Sequence, residues 1–492
     1  LANIDFEYKT INDPVHGSIK VSKTELAVIN TPSFQRLRGL KQLGLAEYVF
    51  PGATHTRFAH SLGALHIASQ MLMAIENNHK KKCRRERLPF STDDEKQKIR
   101  LAALLHDVGH LPLSHAMEQP IQRKLGEEPT SSLKEKTQHT IRQTRVFGDL
   151  DSTANAELDK RFSHEKYGME LLVRRRDLKE ALGNFNEDNE IGKIFTKAHF
   201  DIYKYSQFIT GTIDADRIDF FLRDSLFTGV SYGSIDLKYL LDNINYDVET
   251  EQFYVDYNGI HTLEHFITAR YFLYNIYYHK TIMGFELLAK HAYYHMMNDE
   301  NIEVISSKED LQRIIDDTQL FLRFNDDYFW AKMCEWRPRA KTDKAVKEAL
   351  LFRKPLVELF SERILPSDSK NTDSSGSYNV LDNKLYQRRD FDEILKTFEV
   401  DRGNLALLKH KIKFEEIAPL TDHTTQPDPE KEWALCKVFY DGKVRKLIDV
   451  KASMMSQLSF YNLHIKRLLY LPLDDLRPDR NKFRSAMLKL AI

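Results

Sequence analysis

Apolar positions along the chain switch between short alternating runs and long stretches with helical spacing. Over residues 1–30, β-like runs such as Ile19-Lys20-Val21 alternate with turns at Asp13-Pro14 and His16-Gly17. Thr31-Pro32 reads as a helix start with proline at its first position, and Phe34, Leu37, Leu40 and Leu43 recur at steps of three through residues 33–44. A further helix opens at His60 and carries Leu62, Leu65, Ile67, Met71 and Leu72. Residues 78–98 interrupt it with a basic run, Lys80 to Arg87, and an acidic one, Asp93-Asp94-Glu95, which together read as an exposed loop. Leu101, Leu104, Leu105 and Val108 predict a helix with its back in the core, ended by Pro112. Residues 119–163 are polar and poor in large aliphatics, the pattern of an inserted loop or lid. Helical spacing returns after Phe162, continues over 199–227, runs as one long aromatic helix over 262–298, and extends through 308–363. Ser367 to Ser377 reads as an exposed loop, and residues 433–450 as a hairpin turning at Asp441-Gly442. The pattern predicts a mainly α fold with small β elements: a helical domain over 1–345, interrupted at 119–163, then an α+β C-terminal lobe over 346–492 packed against it.

Chemistry concentrates where the apolar helix near residue 105 ends. His106, Asp107, His110 and His115 fall within ten residues; His106 and His110 are four apart and Asp107 and His110 three apart, so each pair shares a helix face. A lone His-Asp pair on a helix is commonly a surface hydrogen bond, but two more histidines behind an apolar helix favour a metal site. One histidine and one aspartate do not complete such a site. The best distant candidates are His60 and Asp216, and imidazoles with carboxylates suit manganese, iron, nickel or zinc. Asp216, Asp219 and Arg223 lie at 3/4 spacing, which also allows structural ion pairs.

The order His…His-Asp…Asp resembles the HD-domain metal-dependent phosphohydrolases. Asn12-Asp13-Pro14-Val15-His16-Gly17, Phe34-Gln35-Arg36-Leu37-Arg38, Lys41-Gln42-Leu43-Gly44, Tyr48-Val49-Phe50-Pro51-Gly52-Ala53 and Arg57-Phe58-Ala59-His60-Ser61 occur in that order. With Asp216-Arg217, Leu222-Arg223-Asp224-Ser225 and Tyr277-Tyr278-His279-Lys280, they are similar to the dNTP triphosphohydrolase branch over about residues 10–290. The resemblance implies an HD-domain helical core and a metal held by His60, His106, Asp107 and Asp216. It implies phosphate contacts from Arg57 and Arg217, and sugar contacts from Gln42, Leu43, Asp224 and Tyr277. Catalytic proton handling would fall to His110, His115, Glu118, His164 and Glu165, and an effector nucleotide to Asn12, Gln35 and Arg38. The implied reaction converts a deoxynucleoside triphosphate to deoxynucleoside and tripolyphosphate, with a divalent transition metal (manganese, iron, nickel or zinc) and further magnesium accompanying the triphosphate. The alternatives are an HD phosphohydrolase or phosphodiesterase for another nucleotide or a nucleic-acid end, and a non-catalytic nucleotide sensor or scaffold. Phe220, Ala269, Leu273 and Asn30 stand where the mammalian enzyme of that branch has tyrosine, arginine, histidine and aspartate.

Composition narrows the rest. At 492 residues, with 42% hydrophobic and 11% aromatic residues, the chain reads as globular and larger than one ordinary core. Lys plus Arg and Asp plus Glu balance at 72 each, so net charge gives no argument for nucleic acid as a partner. The cysteines, Cys83, Cys334 and Cys436, form neither a zinc spacing nor a disulfide framework, which fits a reducing cytoplasm. No signal pattern is evident, no apolar run reaches membrane-spanning length, and Leu1 in place of Met reads as a trimmed start. A nucleotide substrate, a nucleotide effector and self-association as dimer or tetramer, through the C-terminal lobe, are the expected partnerships.

Overall fold

In the computed structural model, β1 (Lys9–Asp13) and β2 (Gly17–Val21) form an antiparallel hairpin that pairs Asp13 with Gly17. Asp13 Oδ1 accepts from the backbone N–H of Val15 at 2.9 Å and of His16 at 3.0 Å, a side-chain-stabilised turn. The structure describes residues 9–82, 86–126, 163–196, 202–364, 381, 385, 388–413, 436–458, 462–473 and 477–490. The expected lid over 119–163 therefore lies mostly outside the described residues; its first part, 119–126, is helical.

Capping residues explain where the helices start. Ser22 and Glu25 form a reciprocal capping box on α1 (Lys23–Ile29), and Thr31 with Pro32 opens α2 (Pro32–Gln35). The apolar run through Leu43 does not continue as an α-helix. It tightens into a 3₁₀ turn over Arg36–Gly39, because Arg36 is drawn inward, 2% exposed, with Nη1 donating to the His110 carbonyl at 2.9 Å.

The central element is α3 (Arg57–Lys81), whose Leu62, Leu65, Ile67, Met71 and Leu72 are all buried. By length and hydropathy α3 does reach membrane-spanning dimensions, correcting the sequence reading. Yet 67% of its apolar window is buried inside the fold, as for a core helix. The expected loop over 78–98 is also corrected at its end: Thr92 and Glu95 make a second capping box, so Asp93-Asp94-Glu95 is the acidic first turn of α4 (Asp93–Leu105).

After α4 a non-helical turn leads to α5 (His115–Gly126), with Leu113 and Ser114 at φ of 50° and 52°. Beyond it lie α6 (His164–Arg174), capped by Ser163, and, after shorter helices, α7 (Ala215–Thr228), capped by Asp214. The long aromatic run is two helices rather than one. α8 (Ile260–Tyr277) breaks at Tyr278-His279, and His279 caps α9 (Lys280–Met296) by accepting from Thr281 N–H. α10 (Asp326–Glu335) and α11 (Lys341–Leu351) follow.

The helical spacing read through 363 ends at Leu351, and the Val357-Glu358-Leu359-Phe360 run is a strand. The remaining strands are β3 (Ile244–Asp247), β4 (Gln252–Asp256), β5 (Val357–Ile364), β6 (Leu405–Lys413), β7 (Lys437–Tyr440), β8 (Lys443–Lys446) and β9 (Asn462–Tyr470). β7 and β8 form the expected hairpin, with Asp441 and Gly442 at positive φ in the turn. β7 also pairs in parallel with β4, giving a sheet ordered β3-β4-β7-β8, while β5-β9-β6 form a separate antiparallel sheet. That second sheet covers its own core, which includes Phe360, Leu405, Leu468, Phe391 and Phe483. The fold is mainly α with small sheets.

Helix α3 packs against α7 so closely at Gly63 that a Cβ there would lie 1.8 Å from Asp219 Oδ1 and 2.5 Å from an Arg223 nitrogen. Gly63→Ala must push these buried charged groups apart. It is expected to cost about 1–3 kcal/mol or more, the range for overpacking, read as a lower urea midpoint with an unchanged slope.

Candidate active site and metal centre

Three segments converge on one point: the start of α3 brings His60, the turn after α4 brings His106 and Asp107, and the first turn of α7 brings Asp216. Asp216 Oδ1 lies 3.0 Å from His60 Nε2 and 3.5 Å from His106 Nε2, and the two Nε2 atoms are 3.3 Å apart. One ligand atom from each of these three residues falls within 4.8 Å of the others. Asp107 completes the group, with Oδ1 3.5 Å from His106 Nε2 and Oδ2 3.8 Å from His60 Nε2.

The imidazoles are aimed by what their other nitrogens bind. His60 Nδ1 is 2.7 Å from Asp219 Oδ2 and His106 Nδ1 is 2.8 Å from the Ala103 carbonyl, so each Nε2 faces Asp216. Two imidazole nitrogens turned toward each other beside two carboxylates suit a shared dication, and the donor set fits a transition metal. Burial alone would lower the His60 pKa, but hydrogen bonds to Asp216 and Asp219 outweigh it and raise it to about 10. His106 is raised against the same burial penalty by Asp107 and Asp216. Asp107, although buried, is held well below the usual carboxylate range by Arg57, His106 and His110.

Asp219 is the hidden support. It is 0% exposed and receives His60 at 2.7 Å, His16 Nε2 at 2.6 Å and both Arg223 Nε and Nη2 at 2.9 Å. Arg223 is in turn bound to Asp13 at 2.9 Å. Sequence reasoning left Asp219 and Arg223 as helix-face ion pairs and gave His16 and Asp13 no role beyond their motif. Their signal was the Asp219/Arg223 spacing of four, which shows the pair but not what else it holds.

The group opens into a cavity of about 830 Å³. Gln42, Leu43, Arg57, His110, His164, Glu165, Asp224 and Tyr277 all line it, as do Phe220, Glu286, Lys290 and Lys409. Arg57 donates to Asp107 at 2.6 Å and to Ser114 Oγ at 2.7 Å. Asp224 is clamped from two sides, by His55 Nε2 at 2.8 Å and by the Tyr277 hydroxyl, which donates at 2.7 Å. His110 stacks on His164 with ring centroids 3.8 Å apart, and its Nε2 is 3.1 Å from Asp107. Burial, Arg57 and His164 press the His110 pKa down. His164 is raised in spite of burial by Glu118, 3.5 Å away, and Glu165, 3.3 Å away.

One expected phosphate contact sits elsewhere, and the residues expected at a separate effector site lie apart from the cavity. The Arg217 side chain does not line the cavity, because Asp214, the cap of its own helix, and the Gly211 carbonyl hold its guanidinium. Asn12, on β1, and Gln35 and Arg38 are also outside the cavity lining; Gln35 accepts from Arg38 at 2.8 Å, and Arg38 lies over the Phe58 ring. The His115 side chain lies outside the described residues. Lys290 and Lys409 were missed; Lys290 is a charged residue at a buried position, 4% exposed, on an aromatic helix, a signal the sequence did carry.

Residues 57–184 match the family model described as HD domain. The chain carries an HD domain. An uncharacterized protein of Methanocaldococcus jannaschii is 30% identical over 66% of this chain and 57% of its own length. The deoxynucleoside triphosphate triphosphohydrolase SAMHD1 homolog of Dictyostelium discoideum is 28% identical over 64% of this chain and 54% of its own. The human SAMHD1 enzyme is 43% identical, over 22% of this chain and 16% of its own. The chain thus spans about half the length of the first of these relatives, or less. A solved phosphohydrolase from Bacteroides thetaiotaomicron shares the fold with a TM-score of 0.63 at 20% identity, covering 94% of this chain and 100% of its own. The HD match begins at Arg57, the first residue of α3, and takes in His60, His106 and Asp107; Asp216 comes from beyond it.

Without metal, His60 retains its proton at neutral pH, since its pKa stands at about 10. A metal must displace that proton, so affinity is expected to rise with pH by about tenfold per unit for each proton released. Calorimetric titration in buffers of different ionisation enthalpy checks this; heats independent of the buffer would contradict it.

Proposed function

We propose that the chain hydrolyses deoxynucleoside triphosphates to deoxynucleoside and tripolyphosphate, using a transition metal bound by His60, His106, Asp107 and Asp216. The observation carrying this reading is the lining of one cavity by His106, Asp107 and Asp216, with His60 behind them, together with the Asp224–Tyr277 clamp, a polar grip suited to a sugar. The similarity to enzymes named as deoxynucleoside triphosphate triphosphohydrolases supports it. When bound, the metal supplies Lewis-acid neutralisation of a phosphate oxygen's charge. Manganese, iron, nickel or zinc all suit the donor set, and magnesium travels with the triphosphate.

The chain's own residues divide the remaining work. Lys290, Lys409 and Arg57 bring positive charge to the cavity for the polyphosphate, in place of Arg217. His110, stacked on His164 and bonded to Asp107, lines the cavity with its pKa pressed down, which suits a neutral contact to phosphate or a proton acceptor. His164, with its pKa raised, is the better donor of a proton to a departing sugar oxygen. Glu118 and Glu165 raise the His164 pKa against burial. His115 is a second candidate for proton handling. Gln42 and Leu43 line the cavity beside the clamp, and Gln42 Oε1, buried with no hydrogen-bond partner among the described residues, is left to accept from a ligand. Asn12, Gln35 and Arg38 form the proposed effector surface, self-association as dimer or tetramer is the proposed assembly, and the cytoplasm the proposed location.

His106→Ala and Asp107→Ala are expected to lose the transition metal held by this group, and hydrolysis with it, while keeping their circular dichroism; a metal content equal to that of wild type in both would reject the site. His115→Ala should keep its metal and lose about 10²–10⁴-fold in turnover, the usual range for a general acid–base group.

Sugar choice tests the substrate class. A ring packed at the 2′ carbon leaves an added hydroxyl unpaired, at about 1–3 kcal/mol, so dNTPs should be cleaved at least about tenfold faster than NTPs. Tyr277→Ala should narrow that gap and Tyr277→Phe should largely keep it. Kinetics on paired dATP/ATP and dGTP/GTP with product identification decide the matter. Equal efficiency on both sugars, or release of orthophosphate, favours an HD phosphohydrolase for another nucleotide.

A further inference from the structure

A second cluster of metal-ligand residues lies on the same helix that walls the cavity. His291 and His295 are four apart on α9, and their rings stack with centroids 4.1 Å apart and planes within 18°. Asp343, in the first turn of α11, reaches both: its Oδ1 is 2.9 Å from His291 Nε2 and its Oδ2 3.1 Å from His295 Nδ1. One ligand atom from each residue lies within 4.8 Å of the others.

The surroundings match what a metal needs. His291 and Asp343 are 7% and 9% exposed, so two ligands are fixed in place, while the His295 side chain, 41% exposed, faces solvent. A cleft of about 400 Å³ opens onto His295 and Asp343, and Asp299, Glu300 and Arg339 line it, giving a hydrated cation an entry path with two further carboxylates and one guanidinium. Burial holds His291 toward its neutral form, and the two histidines keep Asp343 ionised; these are the states that ligate.

We propose that His291, His295 and Asp343 bind a second divalent transition metal, of the zinc, cobalt or nickel class. Two imidazoles and one carboxylate form a three-ligand set that leaves positions for water, and imidazole disfavours magnesium and calcium. The metal crosslinks α9 to α11, two helices packed directly on each other. Lys290, next in sequence to His291, and Glu286 line the main cavity, so the crosslink braces that wall. The bracing role rests on the proposed reading of that cavity; the metal site itself does not.

The full chain, stripped with chelator and then equilibrated with zinc or cobalt, is passed through gel filtration and its metal content measured by mass spectrometry. The expected result is two equivalents per chain, falling to one in His295→Ala, in Asp343→Asn and separately in His106→Ala, and to none when His106→Ala and His295→Ala are combined. Cobalt should give a visible d–d absorption in His106→Ala that is lost on adding His295→Ala, with thermal melts confirming that each variant is folded. His295 is half-exposed, and His295→Ala removes its stack on His291 and its bond to Asp343, so it guards against a failure to fold in Asp343→Asn. Wild type and His295→Ala retaining equal metal would overturn the proposal and leave a hydrogen-bonded His–Asp–His group, whereas a single equivalent that His295→Ala removes and His106→Ala keeps would uphold it. Because metal content is counted without nucleotide, a wrong substrate assignment would show in product analysis and leave this count unchanged.

Discussion

A single buried carboxylate, Asp219, aims His60 into the proposed metal group. It has no exposure to water and is satisfied by Arg223, His16 and His60 together. An ionised carboxylate without partners in such a place is not sustainable, and removing one partner of a buried pair typically costs about 3–5 kcal/mol. Arg223 therefore stabilises Asp219, and Asp219 in turn fixes the orientation of His60. The β1–β2 turn enters the same chain of dependence, because Asp13 and His16 reach this network from the first strand pair. Gly63 is the space that lets α7 bring the network against α3.

This dependence explains which parts of the site were legible in the sequence. His60, His106, Asp107 and Asp216, the proposed ligands, announce themselves because metal ligation restricts residue type and three of them stand in short motifs. The orienting shell does not, since His16 and Asp219 are 203 residues apart and nothing in either neighbourhood names the other. Arg217 illustrates the converse. Its type and position suit phosphate, but a carboxylate three residues earlier, Asp214, captures it, and local competition of that kind is invisible to a motif. Lys290 and Lys409 reach the cavity from α9 and β6, elements whose placement depends on tertiary packing.

The fold shows the same division. Periodicity marked α3 and the β7–β8 hairpin, where local pattern and tertiary burial agree. It failed where a cap or a buried charge overrode it. Thr92 and Glu95 turned an apparent charged loop into a helix start, His279 cut one aromatic helix into two, and Arg36 tightened a helix into a 3₁₀ turn to reach the His110 carbonyl. Each override is a hydrogen bond to a backbone group that the apolar pattern does not register.

Asp107 and Asp216, both carboxylates of the metal group, are not equivalent. Asp216 meets His60 and His106 and faces the metal position alone. Asp107 also takes Arg57 on one oxygen, at 2.6 Å, and His110, at 3.1 Å, on the other. It therefore ties the metal position to the guanidinium and the imidazole on the cavity side. Removing Asp107 frees Arg57 and His110 together with a ligand position, so its loss confounds metal binding with substrate handling. Removing Asp216 perturbs the metal position while leaving the Arg57–Asp107–His110 arrangement in place. A comparison of the two separates what the ion contributes from what the surrounding residues contribute, which no substitution at Asp107 alone can do.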